Sequence, residues 1–182
     1  MRINTLEWTK KEAQQAYQEW LGLRERRLQW LRDSSGLEIP TDRDGLVQAW
    51  TWAVEWMGLD ENYPPAPDEP MPVWWQSEGN GRQDAGAVLT DALTVLLAEA
   101  ILQARPAFEL AMLERPKRLR VFGTNEPAIL RAPDTPVLLH YTTWVSVAGT
   151  FGLEGYPPSV PGRAPEHLAE KLDGAIAPPT VL

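Results

Sequence analysis

The sequence predicts an α+β fold, with three N-terminal and central helices packed on a small antiparallel sheet formed by the C-terminal half. Two observations predict it. Up to Ala104 the apolar residues recur at the 3.6-residue period of a helix; beyond Pro106 they alternate at period two, as in half-buried strands. A run of helices followed by a run of strands argues for segregated layers rather than alternating βαβ units. The 182 residues also suffice for a core without disulfides or metals, and there is no cysteine for a disulfide or a Cys-based zinc site.

The first helix is expected from Lys10 to about Asp33. Thr9 and Glu12 form a capping box, Ala13, Ala16, Tyr17, Trp20, Leu21, Leu28 and Leu31 supply the apolar marks, and Gly36 closes it. Arg24, Arg26, Arg27 and Arg32 crowd its second half. They suit the negative end of the helix dipole as a solvated face, and they would also suit an acidic partner.

A second helix starts at Thr41–Asp44 and stops at Gly58. Leu46, Val47, Trp50, Ala53, Val54 and Met57 form one stripe; Ala49, Trp52 and Trp56 lie on a neighbouring face. The Pro-rich loop 59–73 holds Pro64, Pro65, Pro67, Pro70 and Pro72, a density that excludes helix and inner strand. Trp74 and Trp75 end it. In an extended segment their rings would point to opposite sides, leaving one free for a partner. The third helix, Asp84 to Ala104, is capped by Asp84 and stopped by Pro106, with Val88, Leu89, Ala92, Leu93, Leu96, Leu97, Ala100 and Ile101 on a broad apolar face.

Strands are expected over Phe108–Leu113, Arg118–Phe122, Ala128–Arg131 and Val137–Val147, the last rich in Val, Thr and aromatic side chains; the stretch from Val137 to Phe151 reads either as one long strand or as a strand followed by another element. Pro116-Lys117 and Gly123-Thr124-Asn125 supply turns. Residues 1–152 therefore read as a single α+β domain. Residues 153–182 read as a Pro-rich tail with a short helix running from Pro165 to about Asp173.

The charge is uneven. From Asp44 to Glu99 there are ten acidic residues and one basic, Arg82, which accounts for the net charge of −8; both flanks are close to neutral. Five of the nine tryptophans, Trp50 to Trp75, share this middle third. An acidic chain argues against nucleic-acid binding. No N-terminal signal segment is evident, and the apolar run 85–102 carries Asp91 and Glu99, each costing about 2.5 kcal/mol or more in a bilayer, so no membrane span is expected and the expected location is cytoplasmic.

Catalytic signatures are missing. No serine sits in a Gly-x-Ser-x-Gly elbow. The glycines of 79–86 fit neither dinucleotide nor P-loop spacing, and Asp84 would repel a phosphate. Asp60-Glu61 and Asp68-Glu69 lack the spacing of a calcium loop, and no metal or cofactor is expected. The basic run Arg115–Arg120 is read as a hairpin that either enters a nucleic-acid groove, against the overall charge, or faces the acidic middle of this chain or of another copy.

The expected function is that of a bacterial-type soluble, non-enzymatic protein-binding module, immunity-like in class. Its surface would combine Trp52, Trp56, Trp74 and Trp75 with Asp60, Glu61, Asp68 and Glu69. The acids would steer a protein partner, possibly a basic one, and the rings would anchor it. One alternative is a small-molecule binder or an enzyme with a pocket between the long helix and the sheet, using His140, Tyr141 and Arg131. Another is a structural, self-associating subunit that contacts a second copy through Trp74-Trp75.

Overall fold

The computed structural model describes residues 1–58, 68–77, 79–115, 117–119, 124–131, 136–153 and 161–177. They form an α+β fold of five helices and one three-stranded antiparallel sheet. Helix α1 spans Lys10–Ser35. Both halves of the Thr9–Glu12 capping box are present, and Gly36 ends the helix at φ 67, a left-handed conformation that glycine adopts without Cβ strain. Helix α2 spans Arg43–Met57, with the Asp42 side chain accepting from the Gly45 amide.

Helix α3, Gly81–Ala104, is the axle of the molecule. Every residue from Asp84 to Ala98 is buried, so the helix is covered all round rather than on one face. By length and composition it could cross a membrane, but 89% of its apolar stretch lies inside the fold, as in the core helix of a soluble protein. Its cap is Asn80, one turn before the expected Asp84. Asp84 instead faces inward and accepts from the Trp75 indole (2.8 Å) and the Ser77 hydroxyl (2.6 Å).

The sheet runs β1 (Glu109–Met112), β2 (Pro127–Leu130), β3 (Pro136–Leu138), with β2 central and Ala111 opposite Ala128. Asn125, at φ 66, makes the turn into β2. Two strand expectations are corrected. Lys117–Leu119 is a 3-10 turn rather than part of a strand over Arg118–Phe122; residues 120–123 lie outside the described residues. The strand expected over Val137–Val147 ends at Leu138 and becomes helix α4, Leu139–Phe151. Leu139, Thr143, Trp144, Val147, Ala148 and Phe151 are buried at helical spacing, and packing against α3 overrides the β-propensity of Val, Thr and Trp. No side chain caps α4, so the start signal that sequence reading relies on is missing.

Helix α5, His167–Ile176, buries Leu168, Ala169, Leu172 and Ala175 against α2 and α3, within the same core. The N-terminal residues pair with the segment after the Pro-rich loop: Ile3 donates to the Trp74 carbonyl and Gln76 to that of Met1, both at 2.9 Å. This strap carries Arg2 and Thr5 to β2.

Candidate functional site

The four tryptophans expected at a surface divide into two pairs. Trp74 and Trp75 are buried. Trp74 packs on Trp20 (5.9 Å between ring centroids) and His140 (4.2 Å), and Trp75 on Trp144 (5.2 Å). The strap covers one side of this segment and the helices the other, so neither ring is free. They are core, and the expectation that one meets solvent is corrected.

A buried polar network surrounds them. Asp91 accepts from the Trp20 indole (2.9 Å) and Arg27 Nε (2.6 Å), with both charged side chains fully buried. Arg27 reaches on to Glu69 (3.2 Å) and the Pro70 carbonyl (2.5 Å). On the other side of Trp74, Arg2 Nη2 donates to both Glu126 oxygens (2.5 and 2.7 Å) and Thr5 donates to one of them (3.0 Å). His140 Nδ1 stands 3.6 Å from Glu126, longer than a hydrogen bond and an ion pair only when the ring is protonated. Burial lowers the imidazole pKa, and Glu126 opposes this without overcoming it. Burial alone would raise Glu126, but His140, Arg2 and Thr5 outweigh it and hold the carboxyl below its ordinary range. A buried ion pair of this kind is weak evidence of net stability, but removing one partner typically costs about 3–5 kcal/mol. The network therefore fastens α1, α3, α4, β2 and the strap together. Its charges are paired inside the fold.

Trp52 and Trp56 remain partly exposed and are joined by a residue that sequence reading missed, Trp30 of α1. Trp52 and Trp56, one turn apart on α2, stack at 5.2 Å and 26°. Trp30 stands edge-on to both, at 6.0 Å and 74° from Trp52 and 5.6 Å and 78° from Trp56. Edge-to-face and offset pairs are worth about 0.5–1.5 kcal/mol each beyond their buried area, so the cluster is a rigid unit. An aromatic cage needs a ring face open to the cation within about 6 Å of its centroid. These rings are already in contact, which leaves no slot between them, so only their outer faces and edges can meet a partner. The signal for Trp30 was available: it lies off the apolar stripe of α1, as Trp52 and Trp56 lie off that of α2.

The acids also divide. Glu69 pairs with Arg26 and Arg27, Glu99 with Arg24, and Asp84 and Asp91 are bonded inside. The arginines of α1 thus meet the acidic middle of their own chain, a role the sequence reading gave to Arg115–Arg120. Asp68, Asp44 and Glu55 stay exposed; Asp60 and Glu61 lie outside the described residues.

His140, Tyr141 and Arg131 do not converge. His140 is buried, Tyr141 is exposed, and Arg131 donates to the Ala175 carbonyl of α5 (3.2 Å). His140 sits in α4 and not in a strand; it turns into the core, while Tyr141, about 100° further round the helix, lies at the surface. Among the described residues no group of three or more His, Asp or Glu could hold a metal. The chain matches no protein-family model, no curated protein and no solved structure.

Proposed function

We propose that this protein is a non-enzymatic, cytoplasmic protein-binding module that docks another protein on Trp30, Trp52 and Trp56. One observation carries the reading: five of the nine tryptophans are buried in the core, yet three of the others gather on one partly exposed patch of α1 and α2. Core packing accounts for Trp20, Trp50, Trp74, Trp75 and Trp144, each enclosed by the fold. It accounts only in part for Trp30, Trp52 and Trp56, which pack against the core and one another yet keep part of their surface exposed. Tryptophan is the residue most enriched among interface hot spots, and a preassembled cluster loses little side-chain freedom when a partner arrives.

The test is capture of partners from a cell extract by immobilised wild-type protein and by Trp52→Ala and Trp56→Ala, with circular dichroism as the folding control. A genuine partner is held by the wild type and lost by the variants. Each truncation is expected to weaken its purified complex by about 2 kcal/mol, roughly 30-fold in Kd. Variants that hold the same proteins as tightly as the wild type would overturn the assignment.

A further inference from the structure

The charge around the aromatic cluster states what kind of partner fits it. Where α1 ends, next to Trp30, the surface sinks into an open depression of about 550 Å³, lined by Gln29, Asp33, Gly36, Leu37, Glu38 and Pro40 together with Arg32. Asp33 lies three residues after Trp30 and so neighbours it along α1, which joins depression and rings in one surface. Asp33 and Glu38 are exposed and have no ion-pair partner among the described residues. The lining cation, Arg32, is turned toward the Ile39 carbonyl (3.4 Å). The C-terminal end of α1 adds the negative pole of its dipole at the same place. Leu37, 41% exposed, offers an apolar wall along which a lysine or arginine stem could lie.

The other flank of the rings has the same sign. Glu55 is exposed between Trp52 and Trp56 on α2 and has no ion-pair partner among the described residues. Of the α1 cations that flank Trp30 in the chain, Arg26 and Arg27 are taken up by Glu69 at 2.8 and 3.2 Å, and Arg32 lines the depression. The rings therefore have Asp33 and Glu38 on one flank and Glu55 on the other, none of them in an ion pair among the described residues, with Asp33 accepting only from the Gln29 amide (2.7 Å). An acidic segment laid across them would meet like charge on both sides.

We infer that the docking face takes a basic, amphipathic segment of another protein, with its apolar residues on Trp30, Trp52 and Trp56 and a lysine or arginine seated between Asp33 and Glu38. This rests on the docking face proposed above and adds the chemistry of what occupies it.

The probes are two labelled amphipathic helical peptides, one of leucine and lysine and one of leucine and glutamate, titrated with the full chain and followed by fluorescence anisotropy. The lysine peptide is expected to bind and the glutamate peptide not. Asp33→Asn/Glu38→Gln should weaken the lysine peptide about tenfold, and Trp56→Ala should weaken it as well. The control Glu166→Gln/Glu170→Gln removes the same charge from exposed positions near and on α5, and should change binding less than about twofold. Equal losses in the two charge variants would reveal diffuse attraction to an acidic protein and overturn the inference. So would equal binding of the two peptides. If Trp56→Ala weakens binding while Asp33→Asn/Glu38→Gln does not, the basic partner fails and the docking face stands. If Trp56→Ala changes neither the peptide nor a captured partner, the face itself fails. Dimers that sediment in the wild type and vanish in Trp56→Ala would make the occupant a second copy and overturn the basic segment.

Discussion

His140 shows how one side chain can tie stability to pH. It is enclosed by Trp74 and Glu126, with Arg2 on the far side of the carboxylate, and Asp91 also acts on it. Burial holds its pKa below the ordinary 6.5, so the folded protein keeps the ring neutral at a pH where the unfolded chain has already protonated it. Between the two values the unfolded state binds the extra proton, and stability falls as pH drops below about 6.5 until the folded ring titrates. Glu126 has the same sign lower down. Its folded pKa lies below 4.5, so its contribution is present above that value and is lost as pH falls through the folded one. His167, half-buried against Trp50, is also lowered, first by burial and then by Lys171. Urea midpoints measured from about pH 7.5 to about pH 5 should therefore decline in the wild type. His140→Gln should decline less, its residual slope coming from His167, and His140→Gln/His167→Gln should be nearly flat. A His140→Gln slope equal to that of the wild type would refute the account.

At the scale of elements, the junction of α1 and α2 is fixed by a close approach. A Cβ placed on Gly45 would overlap the backbone carbonyl of Pro40, and a backbone atom cannot swing aside as a side-chain end can. Gly45 also donates its amide to the Asp42 cap, so any displacement costs the cap too. Gly45→Ala should destabilise the protein by about 1–3 kcal/mol or more, whereas Gly22→Ala, with open space in α1, should be neutral or slightly stabilising. Equal urea midpoints for the two variants would contradict this reading. Elements were legible in the sequence where local chemistry decides them. The Thr9–Glu12 capping box, Gly36, Gly58 and the apolar content of α3 are written in adjacent residues. Helix α4 was not, because it has no capping side chain and is built from residues that favour strands; its tertiary packing, most of it against α3, makes it a helix. The site was legible by half for the same reason. Trp52 and Trp56 leave the stripe of their own helix, a local property. The burial of Trp74 and Trp75 depends on the strap and on α4, more than sixty residues away in the chain. The internal pairing of Glu69, Asp91 and Glu99 with α1 could not be counted from charge alone, although Asp91 amid Leu89, Ala92 and Leu93 marked a buried partner.

For the molecule as a whole, α3 makes the parts interdependent. Helices α1, α2, α4 and α5 all pack on it, and α5 packs on α2 as well. Four links fasten this C-terminal region: the Trp50 indole to the Gly162 carbonyl (2.9 Å), Arg43 to Asp173 (3.2 Å), Arg105 to the Ile176 carbonyl (2.9 Å), and Arg131 to that of Ala175. The exposed Arg43–Asp173 pair adds little. Burial does most of the work, since Leu168 and Leu172 together are worth about 3–6 kcal/mol against the 5–15 kcal/mol that hold a typical domain. Leu172→Ala should therefore lower overall stability by about 2–5 kcal/mol. Two signals separate a shared core from an appended helix. Tryptophan fluorescence reports mainly on α1, α2, α4 and the Trp74–Trp75 segment, with Trp50 sensing α5 through His167; far-ultraviolet circular dichroism reports on all helices. In a single cooperative unit, Leu172→Ala shifts both urea transitions together and by the same amount. A fluorescence transition that stays in place while the dichroism loses amplitude early would show α5 melting alone, and would remove it from the core to which its buried leucines assign it.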